Sequence, residues 1–247
     1  NSYTGSAIQV QDNALGSTQD IGFDSNGNLD TAALAAYGGS NDVFVSKWYD
    51  QSGNGNDASQ NTSSARPKVY DGSTGSVILE NGKPAVEFNG SSTYFPISIS
   101  GLNLNSVTVN TVARSNNNSS NRMQFTLGTD TNLRFWNYFQ SGFNRFYYGP
   151  VTPTIQYGSA DTNQHLFSFI AGSTAGGGTM FRDSVSSGTT LPLKSGAMNT
   201  TQMRIGAYHN NGIIWSGTMQ EFIVYPVDQT NNRTEIETNV NNYYSIY

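Results

Sequence analysis

The chain has 247 residues and no cysteine, which leaves room for one large domain with a substantial core and excludes disulfides and thiolate metal sites. Charged residues reach only 12%, against roughly 25% in an average domain, so the surface is neutral and rich in hydroxyls and amides. Net charge is −5 and the 12 basic residues are scattered, which excludes nucleic acid and anionic membrane as natural partners; no apolar run approaches the roughly 18 residues of a membrane span.

Short alternating segments separated by Gly, Asn, Ser and Asp recur along the whole length, a pattern that predicts an all-β sandwich or barrel. In chain order, strands are predicted at 6–10, 43–49, 76–80, 84–89 and 94–99. Further strands are predicted at 106–114, 122–128, 132–139, 143–149, 164–171, 177–182, 203–208 and 219–225. In 106–114, Val107 and Val109 share one face while Thr108 and Asn110 take the other. In 219–225, Phe222 and Val224 lie opposite Glu221 and Ile223. A short helix is predicted near 31–37, after the N-cap residue Asp30 and before Gly38-Gly39. A C-terminal helix near 230–244 puts Ile236, Val240 and Tyr243 on one apolar stripe. The polar run 115–121 is a loop inside one domain covering 1–247, without repeats or linkers. Residue 1 is Asn rather than Met and no secretory leader is present, which reads as a processed chain or part of a longer one.

The most specific segment is Trp48-Tyr49-Asp50-Gln51-Ser52-Gly53-Asn54-Gly55-Asn56-Asp57. It resembles the turn that opens laminin G-like, concanavalin A-like jelly rolls. The stretch Gly82-Lys83-Pro84-Ala85-Val86-Glu87-Phe88-Asn89-Gly90 resembles a later strand of the same family. Arg204-Ile205-Gly206 and the segment 217–225 resemble its closing strands. The resemblance implies a two-sheet antiparallel jelly-roll β-sandwich with a terminal helix. From Ala7-Ile8-Gln9-Val10 onward, the whole chain is most similar to the arabinofuranosidase B-type catalytic domain of glycoside hydrolases. Read on its own residues, 48–57 is a turn of Asp, Asn, Ser and Gly that bond their own backbone. Asp50, Ser52, Asn54 and Gly55 also mimic the start of a calcium loop, but the position for its bidentate Glu holds Asn61. No metal or cofactor is therefore expected, calcium being the one alternative.

The arabinofuranosidase resemblance implies a nucleophile on a mid-domain strand and an acid/base Asp after an Ile-Gly-Gly strand. A retaining glycosidase needs two carboxyl groups roughly 5 Å apart. Here 133–148 contains no acid, nor does any position from 131 to 160. After Ile205-Gly206-Ala207 come Tyr208, His209, Asn210 and Asn211, and the family's paired pocket cysteines are missing. No catalytic residue is assigned. The remaining acids have bland roles: Glu87 is expected to face outwards, and Glu221 to be a structural hydrogen-bond partner. Trp48 and Trp215 are expected in the core or at strand edges.

A sugar-binding face is expected on a hairpin turning near Gln140-Ser141-Gly142. Its alternation puts Arg134, Trp136 and Tyr138 on one side, opposite Arg145 and Tyr147, with Tyr208 and His209 at the rim. Aromatic faces stack on pyranose rings, and Arg donates to hydroxyls and carboxylates. In the resembling hydrolases the matching strands line the substrate cleft. The alternative is that these aromatics fill the core. Three functional readings follow. The first is a non-catalytic carbohydrate-binding or adhesion module, extracellular, on a cell surface or on a phage or virion surface, with a glycan as partner and with flanking domains or homo-oligomers in a larger assembly. The second is an arabinofuranosidase-like glycoside hydrolase. The third is a purely structural virion or surface domain. The absence of cysteine leans towards a bacterial or phage source.

Overall fold

The computed structural model describes residues 3–12, 14, 16–118, 120–129, 135–149 and 154–247. The chain opens with β1 (Ile8–Asp12), β2 (Thr18–Ile21), helix α1 (Thr31–Gly38) and β3 (Val43–Trp48). Short strands follow: β4 (Ala58–Ser59), β5 (Lys68–Asp71), β6 (Ser76–Val77), β7 (Leu79–Glu80), β8 (Lys83–Pro84) and β9 (Val86–Asn89). The middle holds β10 (Phe95–Asn103), β11 (Val107–Ser115), β12 (Arg122–Leu127), β13 (Phe135–Gln140), β14 (Phe143–Tyr148) and β15 (Ile155–Ser159). The last third holds β16 (Gln164–Gly172), β17 (Gly177–Arg182), β18 (Val185–Pro192), β19 (Asn199–Ile205), β20 (Ser216–Tyr225) and helix α2 (Arg233–Tyr244).

These strands form two main antiparallel sheets. The larger, twelve-stranded sheet runs β18-β17-β16-β11-β20-β9-β5-β3-β1-β2, with β4 on β3 and β6 on β5. The six-stranded sheet runs β10-β19-β12-β13-β14-β15. Their inner faces meet in one core. Val109, Phe167, Phe169 and Met219 come from the large sheet, and Phe125, Phe135, Phe139 and Phe146 from the small one. Phe169 touches both Phe125 and Phe146 edge-on or tilted, with ring centroids 5.2 and 5.3 Å apart. Each such ring taken from water contributes about 1.5–3 kcal/mol. The all-β jelly-roll expectation therefore holds.

The helices show how local residues set element ends. Asp30 accepts the Ala33 amide at 2.9 Å and caps α1, which ends at Gly39 with φ 56°. The C-terminal helix begins with one 3-10 turn over Thr230–Asn232 before α2 proper. Its buried stripe is Glu237, Val240 and Tyr244, one residue round from the expected one, and Tyr243 is exposed. Val240 and Tyr244 pack on Val112 and Leu166, on the outside of the large sheet.

Several expected strands are cut where the backbone changes partner. Segment 76–80 is two strands, because Ile78 donates to Val69 while β7 turns to pair with β8. Segment 84–89 breaks at Ala85, whose amide donates to Ile78. Segment 203–208 ends at Ile205, where Gly206 takes φ 80°.

Candidate functional site

Alternation along β13 decides which rings reach the outside. Phe135 and Phe139 point into the core, so Trp136 and Tyr138 point out of the sandwich. The β13–β14 hairpin turns on Ser141 and Gly142, with φ 52° and 79°, the pair of left-handed residues that a tight two-residue hairpin requires. This register sets Trp136 opposite Tyr147 and Tyr138 opposite Arg145. Trp136, Tyr138 and Met123 form a cluster separate from the core, with Tyr147, Tyr208 and Ile213 packed on it.

Tyr208 arrives from a different element. After β19 the backbone bends at Gly206, where a Cβ would lie 2.4 Å from the Phe88 ring. A small hairpin follows: Ala207 bridges Ile214, the Tyr208 amide donates to Ile213 at 2.9 Å, and Asn211 adopts φ 61°. The Asn211 amide donates to the Tyr94 hydroxyl at 3.0 Å and ties the tip down. Tyr208 thereby lies edge-on to Trp136 at 4.8 Å, and His209 packs on Tyr208 at 4.2 Å.

The result is a layered aromatic shelf. Trp136 and Tyr138 are its floor, 5% and 7% exposed. Tyr147 lies over both, 5.3 Å from Trp136 and 5.2 Å from Tyr138. Tyr147, Tyr208, His209 and Arg145 are half-buried and meet solvent. The Tyr138 and Tyr147 hydroxyls are 2.9 Å apart, and Gln140 accepts from Tyr138 at 2.6 Å and from Arg145 at 2.7 Å. Burial, and then the Tyr147 hydrogen bond, raise the Tyr138 pKa well above the usual phenol value, so its proton stays at neutral pH. The described residues of this hairpin and of the Tyr208 loop include no Asp or Glu.

Of the seven expected sugar-facing residues, six come together here; Arg134 lies outside the described residues. The aromatics do not fill the inter-sheet core, although Trp136 and Tyr138 are largely covered by their neighbours. One residue escaped the sequence reading. Arg204 stands between the inward-facing Met203 and Ile205, so it projects from the same outer face, paired to Thr126 and, through it, to Trp136. The alternation of 203–205 carried that signal, which the resemblance of Arg204-Ile205-Gly206 to a closing strand obscured.

Several titratable groups elsewhere have structural partners. Asp50 accepts the Ser52 and Asn56 amides, both at 2.9 Å, one on each oxygen. Burial opposes its charge, but those hydrogen bonds prevail and hold its pKa below the usual carboxylate value. This makes 50–57 a self-bonded turn. Asp50 lines a cleft of about 800 Å³ with Trp48, Ile97, Phe222 and Glu221. Burial raises the Glu221 pKa, against the Tyr244 hydroxyl that donates to it at 2.9 Å. Trp215 is fully buried, whereas Trp48 sits at the core edge and faces the cleft. His165 sits apart from the shelf, its Nδ1 2.6 Å from Asp183 and its Nε2 2.8 Å from Asp161.

No known family model matches the chain, and no curated protein sequence matches it. Among solved structures, it is similar to a GH54 α-L-arabinofuranosidase soaked with 4-nitrophenyl α-L-arabinofuranoside, at 15% identity and TM-score 0.72, over 97% of this chain and 59% of that one. An arabinofuranosidase complexed with arabinofuranosyl-α-1,2-xylobiose gives 15% identity and TM-score 0.70, over 96% of this chain and 59% of that chain. Trypanosoma rangeli sialidase gives 14% identity and TM-score 0.55, over 78% and 30%. The chain thus spans 59% of the length of the arabinofuranosidases it matches. At these identities the likeness establishes the fold, a β-sandwich related to that of arabinofuranosidases.

Proposed function

We propose that this domain binds carbohydrate without cleaving it, on the outer face of the six-stranded sheet, as a module of an extracellular, cell-surface or virion-surface protein. The observation that carries this reading is the shelf of Trp136, Tyr138, Tyr147 and Tyr208, presented on a rigid sheet with no acid among its described strands. Apolar ring faces of a sugar stack on such a surface, while Arg145, His209 and the tyrosine hydroxyls meet its polar edge. The arabinofuranosidase likeness supports a saccharide as ligand, since the named structures hold arabinofuranosides. An open site of this kind gains little buried apolar area and must strip water from many hydroxyls, so affinities in the micromolar to millimolar range are expected.

A glycan array followed by titration calorimetry tests the proposal. Tyr147→Ala and Tyr208→Ala are expected to weaken binding about fivefold each, the loss of ~1 kcal/mol of ring contact, with melting temperatures nearly unchanged. Trp136→Ala removes the floor and is expected to cost about 3 kcal/mol of stability as well as binding. Normal binding by folded Tyr147→Ala and Tyr208→Ala proteins would place the site elsewhere. Release of nitrophenol from an aryl arabinofuranoside, abolished by changing a single Asp or Glu, would establish the hydrolase reading instead. No binding to any glycan would favour a structural role.

A further inference from the structure

The arginines of this chain divide by what they face. Arg114 lies 3.6 Å from Glu80, Arg182 lies 3.7 Å from Asp161, and Arg233 is paired with Glu237. Arg66 and Arg122 make no ion pair either but donate to main-chain carbonyls, Arg66 to Gln60 and Asn61 and Arg122 to Asn121, whereas on the outer face of the six-stranded sheet Arg145 and Arg204 make no ion pair among the described residues. Each also has an Nε atom that is buried and lacks a hydrogen-bond acceptor. A guanidinium holds its charge at any physiological pH, and neither of these charges is neutralised by a described carboxylate, although Arg145 donates through one terminal nitrogen to Gln140. Both side chains leave the same outer face and flank the aromatic shelf from opposite sides. Arg204 is on β19 and Arg145 on β14, with β12 and β13 between them. Arg204 lies across from Thr126, Trp136 and Tyr147, two residues along β14 from Arg145, so three strand spacings of about 4.8 Å and about 7 Å along the strand put their backbones roughly 16 Å apart, a separation suited to two anionic groups along an extended chain.

Resting on the carbohydrate reading above, we infer that the ligand is an anionic glycan, whose carboxylate or sulfate groups pair with Arg145 and Arg204 while its rings lie across Tyr147 and Tyr208. Charge complementarity is local: the protein carries a net charge of −5, which disfavours an acidic chain overall, whereas this face holds two cations without an ion pair and its described strands hold no acid. Charge-assisted, bidentate pairing is what the planar guanidinium does best.

The test pairs uronate-bearing and sulfate-bearing oligosaccharides with their carboxyl-reduced or desulfated parents, titrated into the intact domain. The acidic member of a pair is expected to bind at least about tenfold more tightly than its neutral parent, and to weaken as salt is raised. The two series separate carboxylate from sulfate as the anion recognised. Arg204→Gln is expected to lose about tenfold in affinity for the acidic member and nothing for the neutral one, and Arg145→Gln to lose at least about tenfold more for the acidic member than for the neutral one. Lys68→Gln, on the other sheet and paired with Asp42, is expected to leave both unchanged. The salt dependence of the unaltered protein decides the matter if an arginine variant fails to fold. Equal binding of acidic and neutral members, insensitive to salt, overturns the inference and leaves the carbohydrate reading standing. If no glycan of either kind binds, both fall.

Discussion

Tyr147 and Trp136 face each other across the hairpin, yet only the tyrosine offers a ring to solvent. The tryptophan is needed because it fixes where the tyrosines lie. A similar division between positioned and positioning groups appears at His165, which is 9% exposed and held between two aspartates. Burial opposes its charge, but the hydrogen bonds and charges of Asp183 and Asp161 prevail and raise its pKa above the ordinary imidazole value. For Asp161, burial is likewise outweighed by hydrogen bonds from Asn163 and His165, and its pKa is lowered. A raised folded-state pKa contributes stability in full below the unfolded value of about 6.5, and that contribution fades as pH rises through the folded value. The Asp161 contribution is present above about pH 4 and fades as pH falls through its lowered value. The urea midpoint is therefore expected to fall as pH rises from about 6.5, in the unaltered protein and not in His165→Gln. Parallel pH profiles for the two proteins would show that the cluster carries no such charge. None of this was legible from spacing. Asp183 reaches the histidine only because β17 and β18 turn tightly on Asp183 and Ser184, at φ 53° and 64°.

At the scale of elements, the strands that sequence alone reveals are those with one face in the core. The β13–β14 hairpin, β11 and β16 alternate or run apolar because the sandwich demands it. The missed strands include β2, β15 and β18, and these are three of the four strands that end the two main sheets. Val185–Pro192 is exposed at most positions, and Thr18–Ile21 at all but its last. Such strands are held by ladder hydrogen bonds to one neighbour, and hydrogen bonds leave no apolar pattern to read. Conversely, Gly206 was legible only as part of a resemblance; its physical task is visible in three dimensions. It ends β19, bends the chain towards Tyr208, and passes so close to Phe88 that no Cβ fits. Gly206→Ala is expected to destabilise the domain by about 3 kcal/mol, combining the left-handed backbone penalty with the clash. In the fraction that still folds, the proposed glycan binding is expected to weaken because Tyr208 is displaced. A urea melt unchanged within about 0.5 kcal/mol would contradict the geometry.

For the whole molecule, the telling feature is where the last strand goes. β20 is an interior strand of the large sheet, with β11 on one side and β9 on the other. The glycine at its start, Gly217, has φ 145° and would place a Cβ 2.0 Å from the Arg114 carbonyl oxygen, so the two backbones are in close contact there. Hydrogen exchange is expected to be slowest in β11 and β20, whose amides open only with global unfolding, and faster by at least about tenfold in β2, β15 and β18. Equal protection in β18 and β11 would show that the sheet does not open from its ends. Helix α2 then closes over the outside of the same strands through Val240 and Tyr244. One consequence concerns synthesis. A ribosome delivers β9 and β11 more than a hundred residues before the strand that joins them. Until Tyr225 has left the exit tunnel, the nascent chain carries two sticky backbone edges awaiting a common partner, and other nascent chains compete for them. Yield in the cell should therefore depend on translation speed and chaperone supply even where the finished domain is stable.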